Sequence, residues 1–486
     1  MALVLRKPPK LEPRHSAYPY QLDAVNSLAP MEYSAVFHEQ GLGKTKIAID
    51  ISLRWLEEDQ VDTVIIVTKK SLVQNWVDEI AVHSHVTPRV LSGNRRENSV
   101  ALNSPVLIYV TNYEVISANH DLIEDFLSIC EVGAVLDESQ KIKNPQARLS
   151  QSLHSLSEKF ARRIIMTGTP VANRPFDIWS QVRFLDGGES LGESFDEFKN
   201  RFDLPKSDKS RGLFEENVKG LLEATRPFTV RETKKSAGIE LPEKTLVTHR
   251  VALSPEQAKV YADYRDNLRY EIQEAAGEKV DDAEELLKRL LRLVQVASNP
   301  GLVEPGYTEQ PGKLLRLFGL LDELDLGANK AIVWSSFVGN IEWLSRELEQ
   351  YAPVKVHGQM SIDERNLSIS RFKTDPLCRV LLATPGAAKE GLTLTVANQA
   401  VFFDRSFSLD DYLQAQDRIH RISQTKECYV HNLIAENTID EWVDALLNAK
   451  RQAAALAQGD LSGVQFEASF DYDLDLLLEE VLASKD

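Results

Sequence analysis

Ser34-Ala35-Val36-Phe37-His38-Glu39-Gln40-Gly41-Leu42-Gly43-Lys44-Thr45 runs from a short apolar stretch through a glycine-bearing loop into an amphipathic segment. A strand, a loop and a helix in that order are the setting a phosphate loop requires. Gly41 and Gly43 let backbone N–H groups approach a β-phosphate, with Leu42 between them; Lys44 neutralises β and γ oxygens, and the Thr45 hydroxyl takes a Mg2+ ligand position. A chance glycine turn ahead of a helix is the competing reading, and further motifs have to decide.

Outward from this stretch the chain repeats the same rhythm. Ser34–Phe37, Thr63–Val67, Val106–Val110, Val132–Leu136 and Ile164–Met166 are short apolar runs, each lying between helical patterns. Such alternation predicts a parallel sheet with helices on both faces. From about Phe176 to Arg269 strand-like runs thin out and the pattern reads as helical, followed by an acidic helical stretch, Tyr270–Leu293, closed by Asn299-Pro300-Gly301. From Lys330 the alternation resumes, with Ala331–Trp334, Val354–Val356, Val380–Ala383, Ala400–Phe403 and Tyr429–Leu433 as candidate strands. The fold class is therefore α/β: two parallel-sheet lobes with helical insertions and an acidic C-terminal tail. The expected domains are 1–240 (first lobe, with a helical insertion at about 176–240), 241–310 (helical insert or linker), 311–464 (second lobe) and 465–486 (acidic amphipathic tail).

Length and composition agree. The chain has 486 residues, too many for one ordinary core, and with 43% hydrophobic and 27% charged residues it is neither collagen-like nor wholly disordered. No apolar run approaches the ~18 residues of a membrane-spanning helix, so no membrane association is expected. Cys130, Cys378 and Cys428 lie far apart without paired spacing, which argues against a disulfide framework or a zinc finger. A cytoplasmic chain of bacterial or viral origin is the expectation, acting as a monomer.

The second chemical motif is Asp137-Glu138, at the end of an apolar run and about ninety residues after the phosphate loop. An acid there holds Mg2+ while its neighbour polarises the attacking water. Thr167-Gly168-Thr169-Pro170 ends the next run, on the same expected sheet edge. Far downstream, Gln414 to Arg421 sets Arg418 and Arg421 three apart, hence on one helix face. Surface salt bridges are the ordinary use of such a pair; the sharper one is as arginine fingers that stabilise charge on a transferring γ-phosphoryl group, a contribution of ~10³ to 10⁵ in rate.

These motifs resemble, in order and over nearly the whole chain, those of the Swi/Snf-type ATPases of helicase superfamily two. Tyr20-Gln21 is similar to the adenine-reading Q motif, Gly41–Thr45 to motif I, Lys70-Ser71-Leu72 with Trp76 to motif Ia, and Thr111–Glu114 to motif Ib. Asp137–Asn144 resembles motif II, Thr167–Asn173 motif III, Gly391–Leu394 motif V and Gln414–Gln424 motif VI. Arg231–Lys234 through Pro242 resembles the segment joining the lobes, Val296–Pro300 its ending, and Trp334–Phe337 with His357-Gly358 the opening of the second lobe. Gln140 stands where the family has His, and His38-Glu39-Gln40, Lys389-Glu390, Phe407-Ser408 and Ser423 also depart from its pattern. None of these removes a group expected to touch phosphate or Mg2+.

The resemblance implies two RecA-like lobes, ATP and Mg2+ as cofactors, and translocation along double-stranded DNA. It places Gln21 and Gly391 with the nucleotide, and Lys69, Lys70 and Thr111 on the first lobe, with Ser336, Gly358, Arg365 and Thr384 on the second, as duplex contacts. The net charge of -17 taken alone argues against a DNA partner, but residues 1–250 carry only -2, 251–310 carry -5, 311–464 carry -4 and the tail from Gln465 carries -6. Over a Debye length of ~8 Å, acids on a distant face barely reach a DNA track. The tail, with Asp471, Asp473, Asp475, Glu479 and Glu480, reads as a solvated helix packing its Leu face, as an autoinhibitory self-contact, or as a docking peptide for a protein partner. Two alternatives to the translocase stay open: a motor that strips a protein complex such as a polymerase from nucleic acid, and a nucleotide-gated DNA clamp that does not step.

Overall fold

The computed structural model describes residues 9–104, 106–171, 175–202, 208–275, 283–324, 329–387, 393–421 and 423–460. Gly391 and the tail 465–486 lie outside these. The described residues form two compact units, one drawn from 9–202, 209–240 and 453–460, the other from 241–452.

The first unit is built on a parallel sheet of β1 (Tyr33–Val36), β2 (Thr63–Thr68), β3 (Arg89–Val90), β4 (Ile108–Asn112), β5 (Val132–Asp137), β6 (Arg162–Met166) and β7 (Thr229–Val230), in the order β3-β4-β2-β5-β6-β1-β7. β2, β4 and β5 are buried along their whole length. Parallel strands covered on both faces read as unbroken apolar runs, which is why these were legible. Val36, Ile47, Val64, Ile66, Val110, Val135 and Ile164 belong to one continuous core. Gly133 within β5 makes room for Trp55: a Cβ there would stand 3.0 Å from the indole ring.

In the second unit, β8 (Lys244–Val251), β9 (Ala331–Trp334), β10 (Val354–Val356), β11 (Val380–Ala383), β12 (Gln399–Phe402) and β13 (Cys428–Ala435) form a parallel sheet in the order β10-β11-β9-β12-β13-β8. Beneath it lies Lys313, 1% exposed, whose Nζ donates to the Phe403 carbonyl at 3.0 Å and pairs with Asp440 at 2.5 Å.

All ten expected strands are present, Ala331–Trp334, Val354–Val356 and Val380–Ala383 with the expected ends and the others shifted by a residue or two. Three others correct the reading. The segment 241–310 is not wholly helical: its first part, β8, pairs with β13 along eight residues from Lys244 to Val251. As an edge strand it alternates half-buried and exposed positions, so it has no apolar run to betray it. β3 and β7 are two-residue edge strands with no signal of their own. Residues 453–460, expected with the second lobe, group with the first unit, where Asp460 pairs with Arg231.

Candidate functional site

The carboxyl ends of β1, β6 and β5 lie side by side, which brings three motifs to one sheet edge. From β1 the chain turns through Gly41 (φ 88°) and Gly43 (φ 70°), both in the left-handed region that favours glycine, into the helix Lys44–Glu57. A helix entered this way leaves its first N–H groups pointing outward, a ready anion site. Lys44 is buried and donates to the carbonyls of His38 at 3.0 Å and Glu39 at 3.3 Å. Gln21 packs on the loop: its Nε2 donates to Leu42 O at 3.1 Å, its Oε1 accepts from Tyr18 N at 3.0 Å, and it stands 2.4 Å from where a Gly43 Cβ would lie. Thr45 follows Lys44 in the first helical turn.

Asp137 and Glu138 close β5. Asp137 Oδ2 accepts from the Trp76 indole at 2.8 Å and the Thr68 hydroxyl at 3.0 Å, while the Tyr113 hydroxyl donates to the Asp137 carbonyl at 2.7 Å. Burial, reinforced by Glu138, pushes the Asp137 carboxyl up to about 6. Such a group is short of positive charge and suits a cation. Glu138 sits at φ 53°, ψ 47°, a left-handed conformation that L-residues adopt at a cost. Its Oε2 accepts from Lys69 Nζ at 3.2 Å and Gln140 Nε2 at 2.5 Å. Burial pushes the Glu138 carboxyl up, but the ammoniums of Lys69 and Lys44, aided by these hydrogen bonds, override it and hold it at about 2.

The loop with left-handed glycines, its buried lysine and the adjacent carboxylates fit a nucleotide phosphate with Mg2+. Among the described residues no group of three or more His, Cys, Asp or Glu side chains is placed to hold a metal. A cation bound with a nucleotide phosphate needs only one or two protein oxygens, the rest of its shell being phosphate and water. Thr45 and Asp137 are the residues that would supply those oxygens. The Thr167–Pro170 turn joins the same edge: Gln181 donates to Pro170 O at 2.8 Å and accepts from Ser139 at 2.7 Å, tying it to the segment after Glu138.

In the sequence Trp76 and Tyr113 stand out only as members of motifs, and Thr68 and Gln181 not at all; Thr68 ends β2 and Tyr113 follows β4, whereas Trp76 and Gln181 reach the site from helices. Lys234, which the sequence marks only as part of the segment joining the lobes, also meets the loop after β1. Its backbone N–H and Nζ reach Glu39 at 2.8 and 3.3 Å, and its Cε lies 4.0 Å from where a Gly41 Cβ would be.

The expected duplex contacts on the first unit divide. Lys70 is exposed on a short turn. Lys69 instead faces Glu138, so the nucleotide site claims it first. Thr111 is corrected: it is fully buried inside β4, its hydroxyl on Leu91 O at 3.3 Å, and cannot reach a duplex. In the second unit, Ser336, Gly358 and Thr384 follow the neighbouring strands β9, β10 and β11 and share one sheet edge. Ser336 N donates to Asp404 at 2.7 Å, and Arg365 braces the next loop through Gly358 O at 3.0 Å and Met360 O at 3.2 Å.

Arg418 and Arg421 are corrected in their setting. The helix Leu409–Gln416 ends before them, so they lie in the following turn and not on a helix face. Arg418 is buried; Arg421 donates to Asp417 O at 3.1 Å and Thr393 Oγ1 at 3.0 Å.

A phosphate loop beside an Asp-Glu pair on one parallel sheet, followed by a second parallel α/β unit, defines the helicase-like class of P-loop proteins. The chain matches the SNF2-related domain over residues 20–302 and the helicase conserved C-terminal domain over 312–423, and it belongs to the SNF2 family of helicase-like ATPases. It is similar to an uncharacterized ATP-dependent helicase of Mycoplasma genitalium, 28% identical over 85% of this chain and 39% of that protein. It is also similar to the DNA repair and recombination protein RAD54-like of Gallus gallus, 25% identical over 83% of this chain and 61% of that one. Among solved structures it is similar to the Sulfolobus solfataricus SWI2/SNF2 ATPase core in complex with dsDNA, at 27% identity, coverage of 99% of each chain and a TM-score of 0.43. The chain thus spans about two fifths to three fifths of these two curated relatives' length. No described helix is long and apolar enough to cross a membrane.

Proposed function

We propose that this chain is an ATP-dependent, DNA-stimulated motor that moves on double-stranded DNA. The observation that carries the reading is the placement of Lys44, at the start of the helix after β1, and of Asp137 and Glu138, at the end of β5, on one sheet edge. Family membership and the name of the RAD54-like relative support DNA as the track. Bound ATP with Mg2+ supplies the phosphoanhydride whose cleavage drives stepping. Lys44 and the N–H groups from Gly41 to Thr45 bind the phosphates, Thr45 and Asp137 hold the cation, and Gln21 and Gly391 orient the nucleotide. Glu138 orients the attacking water and accepts its proton; Arg418 and Arg421 stabilise the developing charge. Lys70, Ser336, Gly358, Arg365 and Thr384 contact the duplex backbone, which positions the protein without reading sequence. Monomeric, cytoplasmic operation belongs to the same reading.

The test is ATP turnover across duplex DNA, single strands, RNA and polymerase-bound nucleic acid. Stimulation by bare duplex is expected. Stimulation by a protein–nucleic acid complex alone would favour a remodeller of that complex, and turnover surviving Lys44→Ala would refute the site assignment.

A further inference from the structure

Lys69 immediately follows β2 and Glu138 immediately follows β5, and these strands are paired neighbours. Residues 69 and 138 therefore emerge side by side at the sheet's carboxyl edge. Their ion pair at 3.2 Å is partly buried, with side chains 18% and 15% exposed, so water and salt screen it little. Gln140 donates to the same carboxylate oxygen at 2.5 Å. Glu138 holds this pair of contacts from a left-handed backbone, φ 53° and ψ 47°. A carboxylate that accepts two hydrogen bonds on one oxygen, one of them from an ammonium, is a weaker proton acceptor than a free one. Lys69 nevertheless keeps an opening to solvent beside the exposed Lys70, so an anion reaching this edge meets both lysines.

We propose that Lys69 is a positioning residue that clamps the Glu138 carboxylate in the DNA-free protein, and that a duplex phosphodiester takes over its ammonium and frees the carboxylate for the attacking water. This rests on the reading of Glu138 as proton acceptor and of duplex as activator. It makes the cation that senses DNA the one that restrains hydrolysis, with no longer relay required.

The experiment measures kcat for ATP without DNA and at saturating duplex, for the natural chain, Lys69→Met, Lys69→Arg, Gln140→Ala and Glu138→Gln. Lys69→Met is expected to raise DNA-free turnover about tenfold, the weight of one hydrogen bond to a charged group, and to shrink the stimulation ratio accordingly. Lys69→Arg, which keeps the cation, restores the low DNA-free rate, and Gln140→Ala raises it by a smaller factor. A simple duplex contact behaves otherwise: Lys69→Met then raises the DNA concentration for half-stimulation while DNA-free kcat and the ratio at saturation hold, and that result overturns the clamp. If Lys69→Met does not fold, Gln140→Ala decides, and an unchanged DNA-free rate overturns it. Failure of the underlying reading looks different, since Glu138→Gln then keeps its turnover or the natural chain shows no stimulation by duplex.

Discussion

Two buried tryptophans in the first unit make the same kind of hydrogen bond to different acceptors, and replacing each by Phe isolates what the carboxylate site demands. Trp76, 1% exposed, donates to Asp137 Oδ2 at 2.8 Å; Trp55, fully buried, donates to the Ala29 carbonyl at 2.9 Å. Loss of the five-membered ring costs about 1–2 kcal/mol of packing at either site. At Trp55 the neutral hydrogen bond adds about 1 kcal/mol, giving a total of about 2–3. At Trp76 the acceptor is a carboxylate only 7% exposed, left with Thr68 as its other side-chain donor, and a bond to a charged group is worth about 1.5–3 kcal/mol. Trp76→Phe should therefore destabilise by about 2.5–5 kcal/mol, roughly 0.5–2 more than Trp55→Phe. Guanidinium unfolding of both variants, followed through the first unit's transition, reads the difference. Trp76→Phe should also raise the Mg2+ concentration for half-maximal turnover by about 10- to 100-fold, the usual effect of removing a partner of a metal-holding group, whereas Trp55→Phe should not. Equal destabilisation by the two variants with unchanged Mg2+ dependence would refute the idea that Trp76 serves Asp137.

Other expectations follow from the same geometry. Burial, with His249 and Arg316 nearby, holds His431 at about 4 against an ordinary 6.5. The unfolded chain then binds the proton first, so stability is level above pH 6.5 and falls as pH drops toward 4; unfolding midpoints of His431→Gln should show a shallower fall across that window. A Cβ on Gly312 would stand 2.1 Å from the Ala252 carbonyl, whereas one on Gly358 meets nothing within 4 Å. Gly312→Ala should cost about 3 kcal/mol or more by denaturant titration, through overpacking against backbone, and Gly358→Ala less than about 1. Glu138→Gln should lower kcat by about 10² to 10⁴ while the affinity for a nucleotide analogue is retained.

The sheets were legible because strands covered on both faces carry unbroken apolar runs, as in Val64–Val67 and Val380–Ala383. β8 was not, because an edge strand with a solvated face reads Lys-Thr-Leu-Val-Thr-His-Arg and resembles surface helix in composition. The nucleotide residues were legible for a local reason: glycine conformation, lysine and carboxylate position all follow from a strand ending at a known place. What joins them was not. The partnership of Lys69 with Glu138, and of Trp76 with Asp137, depends on β2 lying beside β5, a pairing of strands nearly seventy residues apart. Thr111 fails as a surface residue for the same reason, since only the sheet order shows that β4 is interior. Arg418 and Arg421 keep their three-residue spacing but not their helix, which ends at Gln416.

The central claim, ATP-driven movement on duplex DNA through Lys44, Asp137 and Glu138, is tested most directly by displacement of a third strand from a triplex placed ahead of the protein. The natural chain with ATP should release the strand, and Glu138→Gln should bind the duplex yet leave it in place. Release that persists in Glu138→Gln, or duplex-stimulated hydrolysis without any release by the natural chain, would contradict the account.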